Sequence, residues 1–308
     1  MAERVATIKL ASWIGITGNA LLALLKIIAG LISGSLAVVA DGIDSATDVL
    51  GSVVTLFTAV IINQPPDPEH PFGHSRAETL ATAILAFIIF FAGAQLMMTT
   101  VGNFMKGETP TIPSILGVYV IIISIVGKML LAISQYYLGK KASSPMIIAN
   151  AKNMQNDILV STGVLAGLGF TIYFKLPILD PIIATIISIL IMKTAVQVYM
   201  DTNRELMGGG ISAEIYNHIN NVVRETRGAA NPHRMRVRKM GEYYFIDIDI
   251  EVEEHLQVKE AHAIAVAVED GIRKRIPNVY DIMVHIEPEG NLEEMEKFGL
   301  SPDDVDKL

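Results

Sequence analysis

The chain is 308 residues long, 51% hydrophobic and only 18% charged, with mean hydropathy +0.43, which excludes an ordinary soluble enzyme. It has no cysteine, so disulfides and thiolate zinc sites are excluded together, and any metal must be held by carboxylate, amide or imidazole. Its net charge of −8 is concentrated at residues 201–308, with 13 Lys/Arg against 22 Asp/Glu, while residues 1–200 carry 11 against 10; this suits cations and argues against nucleic acid.

Six apolar stretches follow in chain order: Lys9–Leu31, Ser35–Ile62, Ala77–Met105, Ile112–Leu138, Met146–Phe174 and Ile178–Met200. Each reaches the ~20 residues that a bilayer crossing requires. The first is too long for a secretory signal, and no small-residue cleavage site follows it. An even number of crossings puts both termini in one compartment. Arg4, Lys9, Arg76, Lys140, Lys141 and the basic residues after span six lie on one side, against Lys106 and Lys175 on the other, so the termini are expected in the cytoplasm. Lys26, Lys128 and Lys193 fall inside apolar spans, where snorkelling or pairing with acids is expected.

The second span carries Asp41, Asp44 and Asp48 at i, i+3 and i+7, so a helix places all three carboxylates on one face. An ionised carboxylate near the bilayer centre costs roughly 2.5–3.5 kcal/mol. Three on one face repel each other unless a cation or protons neutralise them. In span five, Asn153 and Asp157 are i, i+4, with Asn150 a turn earlier. This pair and Asp44/Asp48 sit at compatible depths on antiparallel spans, which supplies four side chains for one ion. Asn156 is assigned instead to interhelical hydrogen bonding.

Between spans two and three, Pro65, Pro66, Pro68 and Pro71 forbid helix and predict a tight cytoplasmic loop. Asp67, His70 and His74 within it form an oxygen-plus-imidazole set suited to zinc or a similar ion. Beyond Asp201 the periodicity changes. It predicts a helix over Ala213–Arg224, strands over His233–Met240 and Tyr243–Glu253, a helix over Val258–Arg275 and a strand over Asn278–Pro288. In the second strand Phe245 or Ile246 is expected inward and the acids outward. This αββαβ order implies a small α+β sheet with helices on one face, and residues 289–308 are expected as a frayed, acidic tail with at most one or two helical turns.

With the stretch Ala40-Asp-Gly-Ile-Asp-Ser-Ala-Thr-Asp48, the loop His70-Pro-Phe-Gly-His-Ser-Arg-Ala-Glu78, Asp180-Pro181 and the αββαβ tail in hand, the chain resembles the cation diffusion facilitator family over nearly all of residues 1–290. The resemblance implies a homodimeric exporter of divalent transition metals from the cytoplasm in exchange for protons. By position, Asp44, Asp48, Asn153 and Asp157 match the transport site, and Asp67, His70 and His74 match the loop site of some members. His233, Asp249, His262, His285 and Glu287 match the cytoplasmic-domain metal sites. Two departures stand out. Zinc exporters of the family usually carry histidine at the position of Asn153. Many members also have an acid where Gly208 stands, salt-bridged to the basic residue at Arg76's position; here Glu205 or Asp201 must supply that interlock.

The expected protein is thus an α-helical membrane protein with six transmembrane helices (1–203), a ferredoxin-like or metallochaperone-like cytoplasmic α+β domain (204–290) and an acidic tail (291–308). It is expected as a homodimer in membrane lipid, multi-pass in the cell (inner) membrane. Its cargo would be Mn²⁺ first, then Fe²⁺ or Zn²⁺, with protons as counter-ion, no organic cofactor and no nucleic acid. A zinc-specific exporter and a membrane metal sensor are the alternatives. An intramembrane metalloenzyme would need an open-site motif such as His-Glu-x-x-His, which is lacking.

Overall fold

The computed structural model describes residues 2–62, 64–106, 110–141, 145–241, 243–290 and 298–307. The chain divides into two compact units, residues 1–60 with 81–199, and residues 61–80 with 200–308.

The first unit is built from long helices: α1 (Ala2–Ser33), α2 (Leu36–Ile62), α3 (Arg76–Met105), α4 (Leu116–Lys141), α5 (Pro145–Tyr173) and α6 (Leu179–Leu206). Five of them are apolar and long enough to cross a membrane; α2 has 27 residues, with its three aspartates in the first half. Helix α4 starts at Leu116, four residues later than Ile112, because the segment holding Pro110 and Pro113 is extended. The Ser114 amide there donates to the Ser33 carbonyl at 2.9 Å, tying that segment to the end of α1.

Polar groups at helix ends are satisfied across the bundle. Asp180, in the first turn of α6, accepts the Leu36 amide at 2.7 Å and the Ser35 hydroxyl, and so caps α2. The adjacent Pro181 falls in the first turn, where a missing N–H removes no helical bond. Close approach of α1 and α2 requires Gly42, since a Cβ there would lie 2.9 Å from the Ile27 amide nitrogen. Val38, Ala40, Ile121, Leu168 and Ile191 form the apolar centre of the unit.

The second unit contains α7 (Ala213–Glu225), β1 (Ala230–Met240), β2 (Tyr243–Val252), α8 (Val258–Arg275) and β3 (Val279–Pro288), in the predicted αββαβ order. Strands β1 and β2 pair antiparallel, β2 and β3 parallel, and α8 is the crossover that a parallel pair requires. Ile246, Ile248 and Ile250 face a core shared with Ile219, Val223, Val268 and Ile272 of the two helices. Phe245, Asp247, Asp249 and Glu251 occupy the opposite face by strand alternation. Both Phe245 and Ile246 are therefore buried, but on different faces, Phe245 packing edge-on against Phe72 of the loop at 5.9 Å.

Two expectations are corrected here. The acids of β2 were expected outward, yet Asp249 and Glu251 are buried: Arg234 lies against Asp249, and Asn231 and the Gly290 amide donate to Glu251. The tail does not fray throughout its length. Leu300 pairs with Met235 through two backbone bonds of 2.9 and 3.0 Å, and a 3₁₀ turn over Pro302–Lys307 buries Val305 in the helix-side core. Residues 291–297 lie outside the described residues.

Candidate metal sites

Three groups of side chains are candidates for cation positions. The loop and sheet groups each bring three ligand atoms within 4.8 Å of one another, while the helical group joins acids of two helices through a lysine. The first lies within the helical unit. Asp41, Asp44 and Asp48 share one face of α2, but their surroundings differ. Asp41 is neutralised by Lys26 of α1 at 2.8 Å, and Lys26 also donates to Ser45 at 3.0 Å and Ser161 at 2.9 Å. All three ammonium protons are thus used, and Ser161 completes the set by donating to Asp41 at 2.8 Å. One turn further, Lys128 of α4 contacts Oδ2 of Asp48 at 3.1 Å and Oδ2 of Asp157 at 2.8 Å. Helices α2 and α5 therefore present their acids to a common point.

Asp44 lies one turn before Asp48 on the same face of α2, and among the described residues its carboxylate has no hydrogen-bond or ion-pair partner. Asn153, one turn before Asp157, is exposed. The side chains of Asp48 and Asp157 are 30% and 17% exposed while that of Lys128 is 4% exposed, so the acids are partly accessible and the lysine is not. Neither lysine was expected to bear on the ion site; each shows only as a basic residue within an apolar span.

The second group is the loop. Asp67 Oδ1 accepts the backbone amides of Glu69 at 2.9 Å and His70 at 2.6 Å, an Asx-type turn that orders the proline-rich segment. These donors, the His70 amide first, hold the Asp67 carboxyl below the usual carboxylate range. Its oxygens then face His70 Nδ1 at 3.3 Å and His74 Nε2 at 3.5 Å, with the two rings 4.4 Å apart. Asp67, His70 and His74 can each point one ligand atom into a space under 4.8 Å across. The Arg238 guanidinium lies over both Phe72 and Phe245, which fixes the loop against β2.

The third group sits on the outer face of the cytoplasmic sheet. Register places His233 of β1, Asp249 of β2 and His285 of β3 in one row, with Glu287 in the next position on the same face of β3. His233, Asp249 and Glu287 bring ligand atoms within 4.8 Å of one another. His233 Nδ1 lies 2.7 Å from the Asn231 carbonyl, so it is assigned the proton, leaving Nε2 facing Glu287 at 3.2 Å. His285 reaches the other Glu287 oxygen at 3.5 Å. Burial holds the Asp249 carboxyl above its usual range, opposed by the Arg234 guanidinium 3.0 Å away. Arg234 shares this face with Arg236 and Arg238 by alternation. His233 would lie with Met235 and Val237 on the core side of a regular strand, and the irregular register around it, with φ of 46° at Arg234, brings it onto the acid face.

His262 is not part of this cluster. It lies exposed on α8, on the helical side of the sheet, with the isoleucines of β2 between that layer and the acids. The expected interlock also takes another form. Glu205 accepts a hydrogen bond from Thr79 at 3.2 Å, and Asp201 is exposed. Gly208 has φ of 79°, its amide bonds to the Glu205 carbonyl at 3.0 Å, and that of Gly209 bonds to Arg204 at 2.8 Å. This is a Schellman cap, and the left-handed residue it demands explains a glycine where an acid was expected.

Comparison with known proteins places these three groups in context. Residues 12–207 match the model of the cation efflux transmembrane domain, and residues 211–289 match that of the cation efflux protein cytoplasmic domain. The chain is 29% identical to the manganese efflux system protein MneP of Bacillus subtilis over 293 residues, covering 93% of this chain and 98% of that protein. It is 29% identical to the cation-efflux pump FieF of Salmonella typhi over 267 residues, covering 87% and 88%. Among solved structures, the metal-bound C-terminal domain of the CzcD transporter from Thermotoga maritima is 39% identical, covering 26% of this chain and 93% of that one with a TM-score of 0.25.

Proposed function

The chain belongs to the cation diffusion facilitator family, whose members are metal cation efflux transporters rather than enzymes, and we propose that this one exports manganese(II) from the cytoplasm in exchange for protons. It is a multi-pass membrane protein; the cell membrane, cytoplasmic termini and a homodimeric assembly belong to the same proposal. The observation that carries the reading is the convergence of Asp48 from α2 and Asp157 from α5 on a single cationic point.

Asp44, Asp48, Asn153 and Asp157 would hold the cargo through three carboxylates and one amide oxygen. Oxygen-only sets suit manganese, whereas imidazole raises preference for zinc, cobalt and nickel. The manganese efflux names of the relatives MneP and MneS, each 29% identical, support the same ion. Iron(II) ranks second. Zinc stands third, favoured by the imidazoles of the loop and cytoplasmic clusters. Close carboxylates take up protons without an ion, and a divalent ion displaces them. Alternating exposure of the α2/α5 site then exchanges ion for protons, with no covalent step. The cytoplasmic cluster at His233, Asp249 and Glu287 would sense the metal level and bias that equilibrium.

Flux into proteoliposomes tests this, with manganese, iron, cobalt, zinc and cadmium offered under a proton gradient. Manganese uptake that depends on the gradient and vanishes in Asp48→Ala is the expected result. Wild-type protein that moves no divalent ion would overturn the reading, and zinc carried to the exclusion of manganese would change only the cargo.

A further inference from the structure

Lys128 is the one group at the α2/α5 site that the transport reading leaves without a role. Its ammonium is almost wholly buried, in the middle of α4, and meets only Oδ2 of Asp48 and Oδ2 of Asp157 among the oxygens of the acids. Each carboxylate therefore keeps its Oδ1 free of the lysine. The acids are several times more accessible than the lysine, so the pair can be approached without reaching Nζ.

Lys26 supplies an internal contrast. Its three protons are consumed by Asp41, Ser45 and Ser161, which makes it a clamp between α1, α2 and α5 with nothing left to offer an ion. Lys128 instead bridges two acids from the very helices that would bind cargo. With Asp44, Asp48 and Asp157 ionised the site carries three negative charges, and Lys128 leaves two. That is the charge a divalent ion neutralises.

We propose, resting on the transport reading above, that Lys128 is a positioning residue: a fixed counter-cation behind the site that holds Asp48 and Asp157 by one oxygen each, turns the other oxygens toward the ion, and tunes the site to a charge of two. Removing the ammonium leaves a triply negative site, which favours a trivalent ion over a divalent one because the missing repulsion counts once more for each added charge. The same loss of packing alone would weaken both ions alike.

The test is equilibrium competition for bound labelled manganese by unlabelled manganese and by terbium(III), on purified full-length protein, after subtracting the binding that survives in Asp157→Ala. Lys128→Met is expected to raise the terbium-to-manganese affinity ratio by at least about tenfold, and Lys128→Arg, which keeps the charge, to restore it. An unchanged ratio in Lys128→Met overturns the proposal, whatever happens to either affinity separately. If Lys128→Met does not fold, the charge-balanced double variant Lys128→Met/Asp44→Asn decides. A folded double variant with the wild-type ratio supports the counter-cation role, while one that fails to fold, or folds with a shifted ratio, overturns it. Wild-type protein with no Asp157-dependent manganese binding would sink the transport-site reading itself, a result separate from any change in the ratio.

Discussion

The Lys26 ammonium lies 2.8 Å from the Asp41 carboxylate, with 3% and 1% of the two side chains exposed. This pair divides the aspartate stripe of α2 into structural and functional parts. Asp41 has its cation built in, on a helix that approaches α2 closely enough to require Gly42. Breaking a buried pair by removing one partner leaves an uncompensated charge and costs about 3–5 kcal/mol. Lys26→Met and Asp41→Ala should therefore lower the melting temperature of the purified transporter sharply, whereas Asp44→Asn should not. Equal melting temperatures for Lys26→Met and wild type would refute the clamp.

Asp157→Ala and Asp48→Ala should behave in the opposite manner. Each removes a charge-assisted ligand from a partly exposed site, so ion binding loses a leading electrostatic term while the fold persists. Flux of manganese should fall to background with the protein still intact by gel filtration. Wild-type flux from either variant would remove that residue from the transport site.

Proton exchange can be read from the heats of binding. Close acids share protons when no ion neutralises them, so manganese binding should release protons to the buffer. Calorimetry in two buffers of different ionisation enthalpy should give different apparent heats in wild type, with the difference reduced in Asp44→Asn. Identical heats in both buffers would contradict coupling at this site.

Much of this arrangement was legible before any coordinates, and the gaps have physical causes. Helix α8 is legible at its full extent because Ala261, Ile264, Ala265 and Val268 recur on one side at helical spacing. The register of β2 against β3 follows from hydrophobic alternation, which also brings Asp249 and His285 into one row. What stayed hidden depends on tertiary placement. Nothing local tells that Lys26 has an acid one helix away or that Lys128 bridges two. His233 reaches Asp249 and Glu287 only through a bulge that overrides strand alternation. His262 has the right residue type on the wrong layer. The docking of Leu300 and Val305 was missed because a sparse, acidic tail shows no periodicity.

The loop offers a pH-dependent prediction whose sign follows from Asp67. Its carboxyl is held below the usual range by the amides of His70 and Glu69, so its ionised form stabilises the turn. A depressed folded value means that this contribution is present above the unfolded carboxylate value of about 4 and is lost as pH falls through the lower, folded value. Asp67→Ala should weaken zinc binding at the loop at neutral pH by at least tenfold, as one of three ligands is lost. It should also raise hydrogen exchange over residues 67–74, and the difference from wild type should shrink only in strong acid. A difference that already disappears between pH 6 and 5 would show that the Asp67 carboxylate is not what orders the turn.

On the proposed reading, cargo choice turns on Asn153. Its carbonyl can serve a cation only if its amide NH2 faces elsewhere, and it cannot deprotonate to add charge. Its exposed position one turn from Asp157 leaves room for a larger ring without a packing penalty. Replacing it with histidine adds a borderline nitrogen donor to a set of oxygen ligands, which favours zinc over manganese. Competitive flux should therefore shift toward zinc in Asn153→His by roughly tenfold, about 1.4 kcal/mol of relative binding. Asn153→Asp, which keeps oxygen ligation and adds a charge, should retain the preference for manganese. If Asn153→His and Asn153→Asp leave the ratio of manganese to zinc flux equally unmoved, position 153 does not touch the ion, and selectivity must reside in the spacing of the three carboxylates.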